Sequence, residues 1–170
     1  MRRLALLIAL LLASPARAEP VEVSFPMQGL PRGFLLTIPE GLDGPAPLLL
    51  VVHGLLEHDG SMRARVTLGR MDEIAETYGV VVAYPSAFGR VWNLGEGLGA
   101  ERLLPRRDDI AYLARVIDEV RARVAIDPDR IFATGYSQGG LMSLALACKT
   151  PGLVRAVAAV AMALPEVLAE

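Results

Sequence analysis

Apolar positions along the chain switch between two periods. Val21 to Phe25 and Phe34 to Ile38 are short runs with strand character, and Pro47 to His53 is a continuous Leu/Val run of the kind found in strands covered on both faces. From Met71 the apolar residues Met71, Ile74, Ala75 and Tyr78 take helical spacing, Gly79 supplies a C-cap, and Val80 to Tyr84 returns to a buried strand. Strand, helix and strand make one βαβ unit. Asp108 and Asp109 then offer a cap ahead of Ile110, Leu113, Ile117, Val120 and Val124, a regular three-four repeat with Arg115, Glu119 and Arg123 on the other faces. Asp127-Pro128-Asp129 predicts a turn into the strand Ile131 to Thr134, Leu141 to Lys149 is helical, and Val154 to Met162 reads as a further buried strand. The alternation predicts an α/β fold with a doubly wound, mostly parallel sheet.

The first eighteen residues stand outside this pattern. Met1-Arg2-Arg3 is basic, Leu4 to Leu12 is unbroken and apolar, and Ala16-Arg17-Ala18 has the small-x-small form of a cleavage site. This predicts a signal peptide over 1–18, a mature chain from Glu19, one domain over 19–170, and a secreted or periplasmic location. The apolar run is too short to span a bilayer, and no cysteine stands at the cleavage point to carry a lipid. Without Arg2, Arg3 and Arg17 the 17 basic residues fall to 14 against 19 acidic ones, a net charge of −5 with no basic cluster. Nucleic acid and anionic lipid are therefore not expected partners. A chain of this length can bury a core without disulfides or metals.

Candidate chemistry centres on Gly135-Tyr136-Ser137-Gln138-Gly139-Gly140, placed between a predicted strand and a predicted helix. A serine on so sharp a turn needs small residues two before and two after it, so that strand and helix can approach, and Gly135 and Gly139 meet that need. The turn would present the Ser137 hydroxyl above the sheet, with the Gln138 N–H as an oxyanion donor at the helix start. His53-Gly54 ends the third predicted strand, where a loop would supply a second donor from Leu55 or its neighbour. The His53 ring is read as structural, tying down that loop.

These features together resemble the secreted α/β-hydrolases that include polyhydroxybutyrate depolymerase-like and feruloyl esterase-like enzymes. The resemblance rests on the strand ending in His53-Gly54, on Val80 to Pro85, Trp92-Asn93, Asp108 to Leu113, and Asp127 to Gly140. It implies an α/β-hydrolase fold and hydrolysis of small-molecule or polymeric esters, with Ser137 as nucleophile and no cofactor. It also implies two further strand-helix units carrying an aspartate and then a histidine, positions that the 170 residues do not contain, so the fold is expected to lack its last units. Cys148 is either a buried free thiol or, as the resemblance implies, the partner of a cysteine beyond Glu170. A sheet ending at Val154 to Met162 would expose an apolar edge and favour self-association.

Other residues have narrower readings. His58 is the only replacement base within reach, and its plainer reading is a loop histidine beside Glu57 and Asp59. Trp92 and Asn93 are candidate substrate contacts in a long loop, with packing of that loop as the alternative. Two histidines five apart with scattered carboxylates lack the spacing of a metal site, and Gly95 to Gly99 lacks that of a phosphate loop. Two functions follow: a serine esterase, or a catalytically incomplete exported hydrolase-fold protein that binds esters, acylated glycans or another chain without turnover.

Overall fold

The computed structural model describes residues 19–94, 104–163 and 166. The leader and the Gly95 to Gly99 loop lie outside the described residues. Strand β1 (Val21–Met27) turns through Gln28 and Gly29, both at positive φ of 54° and 74°, into β2 (Leu30–Thr37). Two such residues in succession match the right-handed twist of a hairpin, and the pair is antiparallel with Pro26 opposite Pro31. Among the described residues β1 is a sheet edge, so the missing proline N–H is tolerated there.

β3 (Ala46–Val52) leads into a short helix α1 (Asp59–Ser61), a single π-turn (Met62–Val66), helix α2 (Arg70–Tyr78) and strand β4 (Val81–Ser86). The βαβ unit is present: β3 and β4 pair in parallel, and Gly79 closes α2 at φ 64°. Nothing in the periodicity announced α1 or the π-turn. Helix α3 (Asp109–Arg121) crosses to β5 (Ile126–Tyr136), which pairs with β3 on the side away from β4. Helix α4 (Gln138–Lys149) leads to β6 (Ala156–Val160), parallel to β5. The sheet order is β1-β2-β4-β3-β5-β6. Successive connections go to opposite sides of β3, so the winding reverses between β3 and β5. In open α/β sheets a crevice forms at that point beyond the carboxyl ends of the strands.

Side-chain alternation along the central strands explains the layers. Leu48, Leu50 and Val52 of β3 with Val81 and Ala83 of β4 face α3 and α4, whose Leu113, Ile117, Leu141, Met142 and Leu146 complete the larger core. Val51, Val82 and Tyr84 face the other way onto Met62 and Ala75. Strands covered on both sides read as unbroken apolar runs for this reason.

Three expectations need correction. The strand expected over Val154 to Met162 is shorter, and it is not buried: its residues are exposed or half-exposed, Val160 by 52%. It is the outer strand among the described residues, so nothing there covers its far side. The turn expected at Asp127-Pro128-Asp129 is absorbed into β5 as an irregularity. Asp129 N–H bonds the Asp127 carboxylate at 2.9 Å, and the β3–β5 register jumps between Ala46 and Leu48. Finally, only Asp108 caps α3, accepting from Ala111 N–H at 2.9 Å.

Asp109 instead is buried and bridges the layers. Its carboxylate takes the Arg32 guanidinium of β2 at 2.6 Å, approaches Arg107 at 3.4 Å, and accepts from the Asn93 N–H at 2.7 Å. Arg32 also lies 3.6 Å above the Tyr112 ring. Removing one partner of a buried pair strands the other charge, so Asp109→Ala is expected to lose about 3–5 kcal/mol of stability. Asp108→Ala should lose about 1 kcal/mol, the worth of a cap. Urea unfolding of both variants checks this; equal losses would reduce Asp109 to a second cap.

Candidate active site

Ser137 stands between β5 and α4 with φ 52° and ψ −121°, a left-sided conformation that side chains rarely adopt. The glycines around it are there for space. A Cβ on Gly135 would collide with the Gly139 carbonyl and come within 2.7 Å of the Gly140 nitrogen. A Cβ on Gly139 would collide with the carbonyls of Val52 and His53. Helix α4 therefore starts directly against the ends of β3 and β5. The Ser137 N–H donates to Val160 O of β6 at 2.9 Å, and its carbonyl accepts from Leu141 N–H at 3.1 Å. Ser137 is half-exposed, and the Gln138 amide is among the first-turn N–H groups that a helix leaves unpaired.

The loop after β3 faces this turn. Gly54 packs on Tyr136: a Cβ there would stand 3.3 Å from both the Tyr136 ring and the Glu57 carboxylate. Gly54 N–H donates to that carboxylate at 3.2 Å, Leu56 N–H to Arg90 O at 2.9 Å, Glu57 N–H to Gly54 O at 3.3 Å and His58 N–H to Ser61 Oγ at 2.9 Å. Of the five amides from Gly54 to His58, Leu55 alone has no partner among the described residues. His53 aims it. The ring is buried; its Nε2 accepts from Ala87 N–H at 2.9 Å, which leaves Nδ1–H to donate to Gly54 O at 2.7 Å. That carbonyl and the Leu55 N–H are opposite ends of one trans peptide, so holding the first directs the second.

Several known proteins are similar to this chain. A family model described as the prolyl oligopeptidase family matches residues 100–164. The chain is 35% identical over 127 residues to feruloyl esterase C of Emericella nidulans, covering 74% of this chain and 44% of that protein. It is 28% identical over 133 residues to feruloyl esterase B of Piromyces equi, covering 75% of this chain and 23% of that protein. The solved structure of LpqC, a poly(3-hydroxybutyrate) depolymerase from Bordetella parapertussis, superposes with a TM-score of 0.62 at 21% identity, over 82% of this chain and 50% of that one. The described residues have the α/β-hydrolase fold. It spans less than half the length of the two feruloyl esterases.

Not every residue singled out in the sequence reaches the Ser137 turn. His58 is held elsewhere, its Nδ1 on the Asp59 carboxylate at 3.2 Å and its backbone in a reciprocal cap with Ser61. Among the described residues no histidine or carboxylate bonds Ser137. Trp92 does not offer a face to substrate: it is wholly enclosed, with its ring tilted against His53 at 4.9 Å and stacked on Tyr112 at 6.3 Å. Asn93 likewise ties the loop inward, through its N–H to Asp109 and its side-chain amide to Arg107 O. Cys148 is exposed, which removes the buried-thiol reading. Sequence reasoning missed Glu57 and the Gln138 side chain, whose Oε1 accepts from Trp92 N–H at 3.1 Å. No local pattern marks either.

Burial holds the His53 imidazole below its ordinary pKa of 6.5, against the weaker opposing effect of its bond to Gly54. A depressed histidine is neutral when folded and takes up a proton on unfolding, so its contribution is complete above pH 6.5. It falls as pH drops from there toward the lowered folded value, by at most about 1.4 kcal/mol per pH unit. Thermal midpoints measured from pH 7.5 to 5 are expected to decline more steeply for the parent than for His53→Gln; parallel curves would mean the ring is not buried neutral.

Proposed function

We propose that this chain carries the nucleophile and oxyanion donors of a serine carboxylic ester hydrolase of the polyhydroxybutyrate depolymerase or feruloyl esterase type. The observation that carries the reading is Ser137 in its strained turn beside two backbone amides, those of Gln138 and Leu55, that take no partner within the described fold. In the reaction Ser137 Oγ attacks the ester carbonyl as a base removes its proton. The carbonyl oxygen becomes the anion that the two N–H groups stabilise, and collapse expels the alcohol and leaves an acyl-serine. Water then attacks that ester, releasing the acid and restoring the hydroxyl. The base lies outside the contacts described for Ser137, and the greater length of the relatives leaves room for the aspartate and histidine that the resemblance implies. No step calls for a cofactor.

The second reading is a hydrolase-fold protein that binds esters or acylated glycans without turnover, favoured by the absence of any histidine bonded to Ser137 among the described residues. Oxyanion hole and binding alone typically retain about 10³–10⁴ over water when a triad is disabled. On either reading we take the leader over 1–18 to export the chain, with cleavage near Ala18 and a secreted or periplasmic destination. Among the described residues no helix is long and apolar enough to cross a membrane. The partner proposed besides the ester is a second copy of the chain, paired along β6, whose sequence Ala156-Val157-Ala158-Ala159-Val160 carries no charge or proline to deter strand addition.

Hydrolysis of p-nitrophenyl butyrate by the parent and by Ser137→Ala separates the two functions. Turnover abolished by the substitution is expected; equal rates in both would establish the non-catalytic reading. Small-angle scattering is expected to give a dimer mass, and a monodisperse monomer would remove the β6 pairing.

A further inference from the structure

Two segments meet at the candidate oxyanion hole, the loop His53 to Glu57 and the elbow Tyr136 to Gly139, and Trp92 bonds to one residue of each. Its backbone N–H donates to Gln138 Oε1 at 3.1 Å, and its indole N–H donates to His53 O at 2.8 Å. The second bond falls on the peptide joining His53 to Gly54, whose N–H end is already held by the Glu57 carboxylate at 3.2 Å. That peptide is thus fixed at both ends, one bond before the peptide that carries the Leu55 N–H. The first bond draws the Gln138 side chain aside, while its backbone N–H remains at the open end of α4.

Rigidity at Trp92 is what makes two bonds into a brace. The ring is fully buried, tilted against His53 and stacked on Tyr112, and the neighbouring residues are anchored in turn. Val91 O accepts from Arg107 at 2.5 Å, and Asn93 N–H is held by Asp109 at 2.7 Å. A residue fixed in this way transmits position from the α3 side of the core to both donors. Oxyanion donors act only when preset to the spacing of the developing anion, since reorganisation during reaction would forfeit their advantage.

We propose that Trp92 is a positioning residue of the oxyanion hole, a single side chain and amide that set the distance between the Leu55 and Gln138 N–H groups. The inference rests on the assignment of those two donors made above. Trp92→Phe removes the indole donor while keeping an aromatic in the stack. Gln138→Met removes the acceptor at the other end without touching the core, and Gln138→Glu keeps an acceptor oxygen.

The test measures kcat and KM for p-nitrophenyl butyrate, with Ser137→Ala as background, and amide hydrogen exchange over 53–57 and 137–140. Trp92→Phe and Gln138→Met are each expected to lower the Ser137-dependent kcat by about tenfold to a hundredfold with KM changed by less than about twofold, the signature of misplaced transition-state donors. Exchange over both segments should quicken by about tenfold, with the amides of β4 and α3 unaffected and protection restored in Gln138→Glu. Unchanged kcat in both variants of an active parent would overturn the proposal. Should the parent show no Ser137-dependent turnover, the ester-hydrolase reading fails by itself and exchange decides the brace: faster exchange in both segments supports it, and unchanged exchange overturns it.

Discussion

Helix α4 begins so close to the ends of β3 and β5 that no side-chain atom fits between them, and that approach governs the rest of the site. With Gly135 and Gly139 both lacking a Cβ, the helix start can meet the carbonyls of Val52 and His53. The chain then has one residue, Ser137, in which to leave the strand and enter the helix, and it does so at φ 52°. Such strain costs on the order of 1–3 kcal/mol. It persists because α4 buries Leu141, Met142, Ala145 and Leu146 behind it, side chains of which the larger are worth about 1.5–3 kcal/mol each. The packing energy of the helix thus holds the serine in a conformation that it would leave if free.

The loops above the sheet follow from the same reversal of winding that places Ser137. β3 contributes His53 and Gly54, β4 runs on to Ala87, and β5 contributes the elbow; in each case the chain exits at the carboxyl end of a central strand. These exits are too irregular to satisfy one another by a ladder, so side chains do it. His53 joins β3 to the chain after β4, Trp92 joins that chain to β3 and to the elbow, and Asp109 joins it to β2 and α3. Buried polar groups linked in this way are costly unless every member is satisfied, and when satisfied they define one arrangement.

How much of this the sequence disclosed depended on separation along the chain. The strand Pro47 to His53, the helix from Asp108 and the turn at Ser137 each carry their signal within about a dozen adjacent residues, and all three fold as their patterns imply. The roles of Trp92 and Asp109 do not. Arg32 and Asp109 are 77 positions apart, Trp92 and Gln138 46, and neither pairing has a spacing rule that local reasoning could apply. Asp109 looked like a cap because it stands beside the true cap, Asp108. In sequence Trp92 can be a substrate contact or part of a loop packed onto the body, and only the second holds, with the loop folded inward around it. β6 shows the opposite limit: its apolar composition promised burial, but which strand is outermost is a property of the sheet.

On the proposed ester-hydrolase reading, the same topology separates two parts of the chemistry. Stabilising an oxyanion requires fixed backbone amides close to the nucleophile, and neighbouring central strands supply them over a short distance: β3 ends at the Leu55 loop, β5 ends at Ser137, and their registers pair Val52 with Gly135. Accepting a proton from Ser137 requires a side chain with an ordinary or raised affinity for it. His53 is unsuited to that, because its two nitrogens are engaged by Ala87 and Gly54 and burial lowers its basicity. His53 is therefore committed to aiming an amide, and on the proposed ester-hydrolase reading a base for Ser137 would have to come from a different part of the fold.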